Sequence, residues 1–103
     1  MKAETLKGHL DALVLAALRE PAHGYAVIEA LRGRSDGAFD LAEGTVYPVL
    51  HRLEAEGLLA SEWSTATGRR RRVYRLTRKG ARRLEERRRE WRTFSTAVEA
   101  VLA

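Results

Sequence analysis

Apolar residues recur at intervals of three and four over three successive stretches of the chain, alternate at an interval of two over a fourth, and return to threes and fours at the end. Leu6, Leu10, Leu13, Val14, Ala17 and Leu18 predict a first helix from about Thr5 to Arg19, with Thr5 as its cap. Lys7, Asp11, Ala12 and Ala16 fill its other side, so the apolar surface extends beyond one face and calls for cover from more than one direction. Glu20, Pro21 and Ala22 break that helix. Tyr25, Val27, Ile28 and Leu31, with His23 just before them, predict a second helix from Gly24 to Leu31 or a little beyond. Gly33, Ser35, Asp36 and Gly37 read as a loop that Phe39 and Leu41 pin to the core.

The third stretch, LAEGTVYPVLHRLEAEGLL from Leu41 to Leu59, organises the rest. Val46, Val49, Leu50 and Leu53 share one helical face, which leaves Thr45, Tyr47, His51 and Arg52 on the flanks and far side. Pro48 has no N–H and is tolerated in a first turn, so the helix should start near Glu43 or Gly44. Asp40 and Glu43 have the spacing of a capping box, and Gly57 suits the left-handed residue that closes a helix. A hydroxyl, a phenol, an imidazole and a guanidinium can all donate hydrogen bonds to phosphates or base edges. Thr45, Tyr47, Pro48, His51 and Arg52 therefore mark a candidate recognition helix, the plainer alternative being a core helix with ordinary surface residues.

After Gly57 the period falls to two. Leu59, Ser61 and Trp63 alternate with Ala60 and Glu62, Thr65 to Gly68 form a turn, and Arg69 to Thr77 return as a second strand. This predicts a two-stranded hairpin with Arg69, Arg70 and Arg71 at its tip, narrow enough to follow a nucleic-acid backbone or reach a minor groove. Thr77 can cap a last helix running to near Ala103, where Leu84, Trp91, Phe94, Val98 and Val101 form a narrow coiled-coil-like seam. Arg82 with Glu86 and Glu85 with Arg89 can pair along it as weak helix support. The fold class expected is mainly α with a small β-hairpin. A winged helix-turn-helix spans residues 1–77 and a C-terminal dimerisation helix spans 78–103, both in one structural unit. Leu10, Leu13 and Val14 of the first helix, with Leu84, Trp91, Phe94 and Val98 of the last, are the expected dimer interface.

Charge sharpens this picture. Residues 1–68 hold 6 Lys and Arg against 10 Asp and Glu, a balance of −4, whereas residues 69–92 hold 13 against 3, a balance of +10. So concentrated a basic segment is the electrostatic footprint of a polyanion, although a solvated face is the bland alternative. At 103 residues the chain supports one modest core. It has no cysteine for a disulfide or thiolate site, and His9, His23 and His51 lack metal-ligand spacing, so no metal and no cofactor is expected. His9 and Asp11 do not face each other on a helix, and Gly24, Gly33, Gly37 and Gly44 do not form a phosphate-binding loop, which argues against an enzyme. Glu4 and Asp11 interrupt any leader-like apolar start, and the run from Ala12 to Leu18 is too short to span a membrane, so a cytoplasmic protein with no membrane partner is expected. A second reading, of another class, is a small helical interaction module whose basic last helix binds RNA or an acidic partner.

With all segments placed, the chain resembles the PadR family of small winged-helix transcriptional regulators. The resemblance is carried by HGY at His23 to Tyr25, EGTVYPVLHRLEAEGLL at Glu43 to Leu59, RRRVYRLT at Arg70 to Thr77, Gly80, and Trp91 followed by Phe94. The block beginning EGTVYP is the most specific. Val73 stands where many relatives have an aromatic. The resemblance implies the short subtype, a homodimeric repressor of double-stranded DNA. Its third helix would lie in the major groove, with the hairpin as wing and the last helix packed across the dimer against the first. It also implies a planar aromatic effector as a candidate partner near Trp91, with the same interface residues as its pocket. Simple filling of the dimer core by Trp91 is the favoured alternative.

Overall fold

The computed structural model describes Leu6 and residues 8–103; Thr5, the expected first cap, lies outside them. The elements are α1 (Leu10–Ala17), β1 (Ala22–His23), α2 (Gly24–Arg34), α3 (Glu43–Ala55), β2 (Leu59–Ser64), β3 (Arg71–Leu76) and α4 (Arg78–Leu102). The expected first helix is shorter than its apolar period, because Gly8 takes a left-handed φ of 84° and helix α1 begins only after it. The expected two-stranded hairpin is one strand short. Ala22 and His23 pair antiparallel with Tyr74 and Val73, making a three-stranded sheet in the order β1-β3-β2.

Side chains from every helix meet in one core, where Val14, Leu15, Leu18, Val27, Leu31, Val46, Leu50, Leu53, Leu58, Leu59, Tyr74 and Leu84 are buried. Phe39 and Leu41 pack against it from the α2–α3 loop. That loop is held by Ser35, whose hydroxyl donates to the Leu31 carbonyl at 2.7 Å and accepts from the Phe39 N–H at 2.8 Å.

The start of α3 is where the sequence puts it, but Ala42 is the N-cap and makes no side-chain bond, so the Asp40–Glu43 capping box does not form. Pro48 falls in the second turn, where its missing N–H leaves the Gly44 carbonyl without its intrahelical partner. At the other end Gly57, with φ 79°, closes the helix. The Leu58 N–H donates to the Leu53 carbonyl at 2.9 Å and the Gly57 N–H to the Glu54 carbonyl at 3.0 Å, the two bonds of a Schellman motif.

The beginning of α4 docks on this same corner. The Thr77 hydroxyl donates to the Gly57 carbonyl at 2.7 Å and accepts from the Gly80 N–H at 3.0 Å, while Lys79 donates to the Glu56 carbonyl at 2.9 Å. Gly80 is buried here, and only glycine fits because a β-carbon would overlap the Leu58 carbonyl oxygen. Along α4 the ion pairs form at three residues rather than four, Arg83 with Glu86 and Arg88 with Glu85, in place of the expected Arg82–Glu86 and Glu85–Arg89. No helix among the described residues is long and apolar enough to cross a membrane.

Candidate nucleic-acid interface

Burial of Val46, Val49, Leu50 and Leu53 fixes the rotation of α3 about its axis. Thr45, Pro48, His51 and Arg52 are exposed, and Tyr47 is half-buried. The Tyr47 ring lies against Gly24 at the start of α2, where a β-carbon would sit 2.5 Å from Cζ. The glycine of the HGY motif and the tyrosine of the third helix are thus two halves of one contact. Tyr47 is also tilted at 60° to His51 with ring centroids 6.4 Å apart, which joins the two aromatic groups on one flank.

Arg52 does not extend freely. Its guanidinium makes two bonds to the Asp11 carboxylate of α1, at 2.9 and 2.6 Å, and lies 3.6 Å from Glu56. The local Arg52–Glu56 contact is therefore secondary to one that crosses the fold. The Arg52 hydrogen bonds hold the Asp11 carboxyl below the usual aspartate range against the opposing effect of burial, aided by the charges of Arg52, Arg87 and Arg83.

The wing stands beside the start of α3. A cleft of about 530 Å³ separates them, lined by Tyr47 and Glu43 from α3, His23 and Tyr25 from the α2 start, and Trp63 and Arg69 to Arg72 from the hairpin. The second strand begins at Arg71, so Arg69 and Arg70 belong to the exposed tip, turned by Gly68 at φ 85°. The Arg70 guanidinium carbon lies 4.3 Å from the centre of the Trp63 ring and that of Arg72 lies 5.5 Å from it.

Arg71 meets His23 instead, one guanidinium nitrogen standing 2.5 Å from Nε2. His23 is also the N-cap of α2, its Nδ1 3.2 Å from the Ala26 N–H. A neutral imidazole offers one acceptor, so it cannot satisfy both donors, and protonation would remove even that one. Burial and the nearby Arg71 charge both push the His23 pKa down. Arg71 and the Ala26 N–H therefore compete for a single acceptor.

At the other end of the molecule, two of the expected interface residues serve the chain's own core: Val14 is 0% exposed and Leu84 4%. Packing inside one subunit consumes them, which corrects their assignment to a surface between subunits. Leu10, Leu13 and Val98 are half-buried, and Trp91 and Phe94 are 53% and 60% exposed. Trp91 presents an edge-on contact to His9 at 5.4 Å between ring centres and tilts against Phe94 at 6.1 Å.

Sequence reasoning missed His23, Tyr25, Trp63 and Arg72 as members of the cleft. The position of His23 just before a helix was a capping signal. The alternation of β2 placed Trp63 on the same face as Leu59 and Ser61, but only the pairing register, which sets Trp63 opposite Arg72, brings its ring beside the arginines.

Three helices packed on a small antiparallel sheet, with an arginine-tipped hairpin beside the third, define a winged-helix regulator of transcription. The model of the transcriptional regulator PadR-like family matches residues 13–86, and the chain belongs to that family. A transcriptional regulator from Mycobacterium tuberculosis is 55% identical over 51 residues, 50% of this chain and 48% of that protein. The crystal structure of a PadR family regulator from Eggerthella lenta is 39% identical, with a TM-score of 0.81 over 96% of this chain and 86% of that one. A PadR-like regulator from Bacillus cereus is 30% identical, with a TM-score of 0.85 over 97% of both chains. Regulation of transcription, rather than an enzymatic reaction, is the activity of this family, and it implies DNA as partner.

Proposed function

We propose that the protein is a sequence-specific repressor that binds a palindromic operator as a homodimer in the cytoplasm. The supporting observation is the cleft in which the start of α3 faces four consecutive arginines. In this reading Thr45 meets a phosphate near the helix start, where free N–H groups assist it, and Tyr47, Pro48 and His51 approach the bases or the groove wall. Arg69, Arg70 and Arg71 grip the backbone, and a phosphate oxygen replaces His23 as the partner of Arg71. Arg52 positions α3 through Asp11 instead of touching DNA. A dimer joined through the outer part of α4 would present two such helices about 34 Å apart, so inverted half-sites should be centred about 10 bp apart or a multiple of that. A planar aromatic effector that enters beside Trp91 would act by changing that separation.

The test is selection of duplexes from a random pool, followed by gel shifts of the winner against random duplex and competitor RNA. We expect an inverted repeat preferred at least about a thousandfold over random duplex. Preference for the RNA would establish the interaction-module reading in its place.

A further inference from the structure

We infer that Trp63 is a positioning residue of the wing: its indole holds the Arg70 guanidinium flat and aimed into the cleft before any nucleic acid arrives. This rests on the duplex-binding reading above and adds to it a residue that touches no base.

The geometry begins with register. Trp63 on β2 pairs directly with Arg72 on β3, and Ser64 with Arg71. The two guanidinium groups nearest the ring are not equivalent. Arg72 is committed to the fold: its Nε donates to Ser61 Oγ at 2.7 Å, Ser61 donates to Glu54 at 2.5 Å, and the Arg72 terminal nitrogen lies 3.6 Å from the same carboxylate. Arg70, closer to the ring, makes no hydrogen bond or ion pair to the described residues. Its guanidinium rests on the π-face instead.

A guanidinium lying on an indole uses the face that water hydrates weakly and leaves its N–H groups pointing outward in their own plane. That plane is the one in which phosphate oxygens accept two parallel bonds. Arginine otherwise loses much rotamer freedom on contact, so a preset guanidinium binds at lower entropic cost. Trp63 is 53% exposed, which leaves room for Arg70 to stay on the ring while it engages the backbone.

The experiment compares the parent with Trp63→Leu, Trp63→Phe, Arg70→Ala and the double variant Trp63→Leu with Arg70→Ala. Duplex affinity is titrated across a range of salt, and the Arg70 side-chain N–H resonance is followed in the free protein. We expect that resonance to be displaced upfield by the indole in the parent and to lose the displacement in Trp63→Leu. Arg70→Ala should weaken operator and random duplex alike, by about three- to tenfold, and flatten the salt slope by about one, whereas Trp63→Leu, which leaves the charge in place, should weaken both alike by no more than that and keep close to the parental slope. Trp63→Phe should keep most of the affinity, and the double variant should bind no worse than Arg70→Ala. Multiplying losses, parental affinity in Trp63→Leu, or an undisplaced Arg70 resonance in the free parent would each overturn the inference while leaving duplex binding intact. A parent that binds no duplex would overturn the functional reading first and this one with it. Should Trp63→Leu fail to fold, the Phe variant and the free-protein spectrum still decide.

Discussion

The two halves of α4 carry one apolar spacing and meet opposite fates. In the first half, Thr77, Lys79 and Gly80 lock onto the closing turn of α3 and Leu84 enters the core at 4% exposed. In the second half the same spacing delivers Trp91, Phe94 and Val101 to solvent at 53%, 60% and 84% exposed. A period states that a face is apolar. Whether that face is covered by its own chain depends on where the body of the fold ends, and here it ends near Arg87, which donates to the Gly8 carbonyl at the foot of α1.

Breaking the inner half should cost most. Leu84→Ala is expected to lower unfolding stability by about 2–5 kcal/mol, read from urea melts, because a buried side chain is removed and a cavity left. Its effect should be the same at every protein concentration. The outer half predicts the reverse. Trp91→Ser with Phe94→Ser should change the stability of a single subunit by roughly 0.5 kcal/mol or less, as exposed positions do. It should nevertheless abolish the rise of melting temperature with protein concentration that a dimer shows, a difference visible by scanning at two concentrations.

The smallest effect lies at the boundary between the halves, where Asp11 sits between Arg52 of α3 and the charges of Arg87 and Arg83 of α4. Asp11→Asn should cost under about 1 kcal/mol at neutral pH, since the pair is largely solvated. The Asp11 carboxyl is held below its ordinary range in the folded protein, so the unfolded chain takes up its proton first as pH falls. The stabilisation is complete above the ordinary aspartate value of about 3.9 and disappears as pH drops through the lowered one. Stability of parent and variant should therefore converge below roughly pH 4. A gap that widened with acid would show that Asp11 is not the anion of that pair.

Much of the fold was legible because its signals are local. The face of α3, its closure at Gly57 and the cap at Thr77 each depend on residues within a turn of one another. What escaped is set by partners distant in sequence. β1 has two residues, too few for any period, and exists only because β3 lies beside it. The Arg52–Asp11 contact spans 41 positions, beyond the reach of any local pattern. Val14 and Leu84 looked like interface because apolar spacing cannot tell an inner seam from an outer one. In the cleft, the arginines were visible as a charge run. The imidazole and indole that receive two of them were hidden, since neither carries a charge that composition would flag.

The bare α-carbon at Gly24 sets how deeply the third helix can settle. Because the phenol of Tyr47 occupies the space a methyl group would need, the start of α2 acts as a depth stop for α3. A shift of either partner would tilt every outward side chain of that helix together, so two segments 23 positions apart behave as a single aiming device.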